Sequence, residues 1–110
     1  METPEVDSGQ VIVALPDNPS EAAVISLVGE HDLSTVGELS RALATVADAG
    51  RSDLTIDLSD VQFMDSATIA QILAARTSLG EEGRMARIRD PSPLAHYLLA
   101  ICGLTDLVAS

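Results

Sequence analysis

Two segments of this chain alternate apolar residues at strand period, and a segment of helical period separates them. Ala23, Ile25 and Leu27 line one face of the first, with Val24 and Val28 on the other. Leu54, Ile56 and Leu58 line one face of the second, with Thr55 and Asp57 alternating. Between them Val36, Leu39, Leu43 and Val46 fall at i, i+3, i+7 and i+10, the stripe of an amphipathic helix. A helical crossover of that length lets two strands pair in parallel, with the helix packed on the sheet. The pattern predicts an α/β fold.

The flanking segments extend it. Val11, Val13 and Leu15, with Ile12 and Ala14 between, predict an earlier strand that is apolar on both faces. Pro16-Asp17-Asn18-Pro19-Ser20 then reads as a turn, so the first two strands make an antiparallel hairpin. Ser34 is the expected cap of a helix starting near Thr35, and Gly50 is its C′ residue. Residues 59–65 are expected to form a loop. A second helix carries Ile69, Ile72, Leu73 and Leu79, closed by Gly80 and Gly83. Met85 to Arg89 is a fourth strand. Pro91-Ser92-Pro93 opens a third helix with Leu94, Tyr97, Leu98 and Ile101 on one stripe, stopped by Gly103. Leu104, Leu107 and Val108 are a candidate last strand. The expectation is a mixed sheet of four to five strands with three or four helices packed against it. Residues 1–9 are read as a flexible N-terminus and residues 10–110 as a single domain.

Composition narrows the chemistry. Aromatic residues are 2% of the 110, against 46% hydrophobic, so the core is aliphatic. Seventeen acids face six bases for a net charge of -11, and every base is Arg. A chain without Lys has no Schiff-base, P-loop or receiver-type lysine. The acid excess argues against nucleic acid and anionic membranes, and favours a basic protein partner. The lone Cys102 excludes an internal disulfide and reads as a small buried hydrophobe. No signal peptide and no run near the ~20 apolar residues of a membrane helix is found, so the expected protein is cytoplasmic and not membrane-inserted.

His31, His96 and Cys102 match no metal-ligand spacing, and no G-x-S-x-G elbow is present. Glu30, Asp32, Asp57, Asp60 and Asp65 fall at expected strand ends and loops, where they form an acidic rim or serve as turn and cap residues. Phe63-Met64-Asp65-Ser66 joins a strand to a helix. Phe63 and Met64 are expected to turn inward and present Asp65 and Ser66 at the helix start. Either caps the helix, and Thr68 with Gln71 is a rival capping box. A phosphate on Ser66 would be tolerated by the helix N-terminus yet stand beside acidic groups.

These motifs together resemble one family. Ser26-Leu27-Val28-Gly29-Glu30-His31-Asp32-Leu33 is similar to the Gly-Glu-x-Asp turn of STAS domains. Asp57-Leu58-Ser59-Asp60-Val61-Gln62-Phe63-Met64-Asp65-Ser66 resembles that family's phosphorylation-loop segment. Pro91-Ser92-Pro93 with Leu94, Leu98 and Gly103-Leu104 is similar to its closing helix. The resemblance runs from about Val11 to Val108 in the family's order, and is nearest the bacterial anti-sigma factor antagonists. It implies a non-catalytic partner switch without a cofactor. The antagonist binds an anti-sigma factor that is also a serine kinase, and the sigma factor is released. Phosphorylation of Ser66 ends the complex, and a PP2C-type phosphatase resets it; ATP and magnesium belong to the kinase. Glu30, Asp32, Asp65, Ala67 and Thr68 are the implied partner-binding residues. One departure is Ala67-Thr68-Ile69 where the family has small-Gly-Leu, which makes Thr68 a second candidate acceptor. Two other readings stand beside this one: an accessory subunit of a lipid-type ABC transporter, and a small-molecule sensor. For an enzyme no nucleophile–base pair or metal cluster is found.

Overall fold

The computed structural model describes residues 9–18, 20–50, 52–104 and 106. Its elements are β1 (Gln10–Ala14), β2 (Ala23–His31), α1 (Leu33–Asp48), β3 (Leu54–Met64), α2 (Ser66–Gly80), β4 (Ala86–Arg89) and α3 (Pro93–Ile101). The sheet order is β1-β2-β3-β4. β1 pairs antiparallel with β2, while β2–β3 and β3–β4 are parallel. Among the described residues the mixed sheet thus has the lower expected number of strands and of helices. Leu107 and Val108 lie outside the described residues, and Leu104 belongs to no strand.

The sheet buries one face. Ala23, Ile25 and Leu27 of β2, Leu54, Ile56 and Leu58 of β3, and Ile88 of β4 meet Leu39, Ala42 and Val46 of α1, Ile69 and Ile72 of α2, and Ala95 and Leu99 of α3. No residue of the opposite face is buried among the described residues: Ile12, Val24, Ser26, Val28, Thr55, Asp57, Arg87 and Arg89 are all half-buried or exposed. β1, expected to be apolar on both faces, is an edge strand with Ile12 and Val13 open to solvent.

Residues 59–64 are strand, not loop. The register against β2 slips twice, between Ser26 and Val28 and between Gly29 and Glu30. At each slip β3 contributes one residue more than β2, which is a β-bulge. The inward residues therefore step from Leu58 to Val61 to Met64, at spacing three, and this broke the alternation that marks a strand. Of the pair expected to turn inward only Met64 is buried; Phe63, one residue earlier on the strand, points to the other face. Gly29 sits at the second slip with φ 86, a backbone that glycine adopts without cost.

The third helix is rotated from its expected face. Ala95 and Leu99 are buried, whereas Leu94, Tyr97 and Ile101 are exposed. The Ser92 N–H donates to Leu58 O at 3.0 Å and its hydroxyl to Val61 O at 2.8 Å. Those two bonds to the β3 backbone set where the helix begins and hence its phase. Cys102, expected to be buried, is exposed beyond the end of this helix. Residues 1–8 of the expected flexible segment lie outside the described residues, and Gly9, its last residue, is placed. Gly9 is buried, and a Cβ there would run into Glu30 O and the His31 ring.

Arg84 joins the other end of the molecule. Its side chain is buried and caps α1 from outside the helix. Nη2 donates to Val46 O at 3.0 Å, Nη1 to Ala47 O at 3.1 Å and Nε to Ser52 O at 2.8 Å. Glu82 takes a further Nη1 bond at 3.0 Å. Helix ends leave carbonyls unpaired, and a guanidinium fork is suited to several at once. Arg84→Ala should lower unfolding free energy by about 3 kcal/mol, because buried carbonyls lose charged donors. Urea denaturation measures it, and Arg84→Lys should recover less than half.

Candidate functional site

β2 and β3 end side by side. His31 is paired with Met64, and the Asp65 N–H extends the ladder by donating to His31 O at 3.0 Å. The next residue of each strand caps a helix: Asp32 caps α1 and Asp65 caps α2. Two helix starts are therefore held against each other at one edge of the sheet.

Asp32, not Ser34, is the cap of α1. Its carboxylate accepts from the Ser34 N–H at 2.8 Å and from the Ser34 hydroxyl. Its own N–H donates to Thr35 Oγ1 at 3.2 Å. The helix accordingly starts at Leu33, two residues earlier than expected. The Ser34 bonds hold the Asp32 carboxyl below the usual carboxylate range. Beneath it His31 is fully buried. Its Nε2 lies 3.2 Å from Val28 O and its Nδ1 3.1 Å from Thr35 Oγ1. A carbonyl only accepts, so Nε2 carries a proton and donates to Val28 O. The ring is thus a packed part of the strand end. His96 and Cys102 are exposed on and after α3, and no metal-holding cluster occurs among the described residues.

At α2 the cap is Asp65; the Thr68–Gln71 box is not formed. Asp65 Oδ1 accepts from the Thr68 N–H at 3.1 Å and from Thr68 Oγ1 at 3.3 Å. Thr68 is 0% exposed. Its side chain fills space under the helix start and adds no bulk to the outer surface. Ser66 is the first residue of α2 and is exposed, and Ala67 is half-buried. Among the described residues nothing hydrogen-bonds the Ser66 hydroxyl. First-turn N–H groups and the positive end of the helix dipole surround it.

The acidic rim is smaller than the sequence suggested. Glu30, paired with Phe63, stands with Asp32 and Asp65 at the strand ends. Asp60 lies within β3, opposite Val28. Asp57 is deeper in the sheet, pairs with Arg89 at 3.1 Å, and accepts from the Ser59 N–H at 2.9 Å. Burial pushes the Asp57 carboxyl up, but the Ser59 and Arg89 bonds outweigh it and hold the group below its usual range. Two apolar residues flank the rim that sequence reasoning did not assign to it. Leu33, next to Asp32, is 76% exposed, and Phe63 is 43% exposed. Their signal was a large apolar residue close to a helix cap, and Phe63 faces outward because it alternates with the buried Met64.

The family model described as "Mlab, STAS domain" matches residues 15–109. The chain belongs to the STAS domain family. The expected family and fold are both borne out. An anti-sigma-B factor antagonist of Staphylococcus epidermidis is 29% identical over 84 residues, 76% of this chain and 78% of the relative. An anti-sigma factor antagonist structure from Mycobacterium paratuberculosis has 29% identity and a TM-score of 0.76, covering 92% of this chain and 83% of that one. The unphosphorylated anti-sigma factor antagonist SpoIIAA has 21% identity and a TM-score of 0.79, covering 91% and 86%. SpoIIAA in its phosphorylated form has a TM-score of 0.73 at the same identity, covering 91% and 89%. These STAS structures share the fold that sets Asp32 and Asp65 side by side here.

Two expectations follow from the geometry. Asp65→Ala removes an N-cap and should cost about 1 kcal/mol in a denaturation experiment, with Asp65→Asn losing less. The depressed Asp57 carboxyl stabilises the fold above the ordinary aspartate value of 3.8, and that contribution disappears as pH falls through 3.8 toward the lower folded value. Urea midpoints should therefore drop with acidification in this window, and drop less steeply in Asp57→Asn.

Proposed function

We propose that this chain is an anti-sigma factor antagonist switched by phosphorylation of Ser66. The observation that carries the reading is the placement of Ser66. Its hydroxyl is exposed at a helix start and, among the described residues, unbonded, on the edge where two cap aspartates meet. The known antagonists among its relatives support it, as does SpoIIAA, whose phosphorylated form keeps the same fold.

The partner is an anti-sigma factor that acts as a serine kinase. Glu30, Asp32 and Asp65 offer it negative charge, with Leu33 and Phe63 as apolar anchors at the same edge. Ala67 forms part of the contact surface. Thr68 serves from below, by holding the Asp65 carboxylate. Its buried hydroxyl, already donating to Asp65, makes it the poorer acceptor of the two candidates. A phosphate on Ser66 adds about 1.5–2 negative charges beside carboxylates, which repels a partner that docks there. A PP2C-type phosphatase restores the free hydroxyl. The chain itself is a binding protein of the cytoplasm and no enzyme. ATP and magnesium are the kinase's. No helix among the described residues is long and apolar enough to cross a membrane.

Co-expression with the anti-sigma kinases of the source organism, followed by intact-mass spectrometry, tests the reading. Wild type should carry a phosphoryl adduct that Ser66→Ala lacks. Persistence of the adduct in Ser66→Ala moves the acceptor elsewhere. No adduct with any kinase, together with a stable complex with a transporter ATPase, would replace the switch by the accessory-subunit reading.

A further inference from the structure

A cavity of about 310 Å³ opens at the end of the sheet opposite Ser66. It lies where the β1–β2 turn, the start of β2 and the end of α1 converge. The nine residues of β2, about 27 Å of strand, separate it from the Asp32–Asp65 edge. Leu15, Pro16, Ala23 and Val46 supply apolar wall. Asp17 and Arg84 supply opposite charges.

Among the described residues Arg84 has one donor left. A guanidinium carries five N–H groups. Val46 O, Ala47 O, Ser52 O and Glu82 take four, so one Nη2 N–H remains on a buried side chain that lines the cavity. Among the described lining residues the other charge is negative. Asp17 is an exposed carboxylate in the lining, and α1 ends there with Ala49 and Gly50, at the negative end of its dipole.

These features select a ligand class. A simple anion meets Asp17 and the helix C-terminus. A simple cation meets Arg84. A hydrocarbon leaves both polar groups without a partner. A molecule with adjacent carboxylate and ammonium and a short apolar tail satisfies all three features. A peptide terminus carries only one of the two charges. The volume is at the low end of ligand sites, too small for a nucleotide-sized ligand. We propose that the cavity binds a free α-amino acid with an aliphatic side chain. The carboxylate accepts from Arg84 Nη2, the ammonium faces Asp17, and the side chain lies on Leu15, Pro16 and Val46. The site is remote from Ser66 and does not depend on the partner-switch reading.

The test is a titration of isotope-labelled full-length chain, followed by amide NMR, with L-leucine as the probe. Saturable shifts confined to Asp17, Ala23 and Gly50, with a Kd of about 1 mM or tighter, are expected. N-acetyl-L-leucine and L-leucinamide, each lacking one charge, should bind at least about tenfold more weakly. Asp17→Asn should weaken L-leucine by a similar factor, and Ala49→Phe should block it. Both substitutions are at exposed positions, and the unchanged remainder of the spectrum reports that each variant is folded. Absence of saturation at about 10 mM L-leucine overturns the proposal. So does equal binding of the acetylated and amidated compounds, or an affinity untouched in both variants.

Discussion

The parallel ladder between β2 and β3 positions everything that matters at the functional edge. Its last rungs pair His31 with Met64 and tie the Asp65 N–H to His31 O. The residue that follows each strand is then an aspartate that caps a helix. Each cap is local chemistry, but their adjacency is not. It exists because the two strands run in the same direction and end together. Two bulges in β3 let an eleven-residue strand finish level with a nine-residue one. Without them Asp65 would lie beyond Asp32, and strict alternation from Leu58 would turn Asp60 and Gln62 inward in place of Val61.

The aliphatic core makes this arrangement possible in a small chain. With a single face buried, three helices share one layer on the sheet. Polar groups inside that layer all find partners among the described residues. Arg84 closes the carbonyl end of α1, Thr68 holds Asp65, and Thr35 lies between His31 and Asp32. The molecule is thus pinned by polar contacts at both ends of its strands and by methyl packing between them. The uncovered sheet face carries the mixed pairs that remain, among them Asp57 with Arg89.

Much of the fold was legible in the sequence because periodicity is a local signal. Alternation at Ala23–Val28 and Leu54–Leu58 and the helical stripe at Val36–Val46 all report their own backbone. The misread segments are those where a distant partner decides. Residues 59–64 look irregular because bulges change the spacing of inward residues from two to three. The stripe Leu94, Tyr97, Ile101 suggested a core face, but two Ser92 bonds to β3 fix the helix at another rotation. Cys102 follows that helix to the surface. Of the site, Asp32, Asp65 and Ser66 were readable as cap residues in known motifs. Leu33 and Phe63 were not, since exposure of an apolar side chain depends on what fails to cover it.

The sequence by itself determined the α/β class, the strand and helix order, an aliphatic core and an acidic surface. Each follows from residue type and spacing within a window of a few turns. Tertiary structure alone decided which acids meet. Asp32 and Asp65 are thirty-three positions apart and become neighbours through hydrogen bonds of the parallel ladder, while Asp57 and Asp60 are left behind within the strand. It also decided that Thr68 faces inward and Ser66 outward, because residues two apart on a helix lie about 200° around its axis and the core claims one of them.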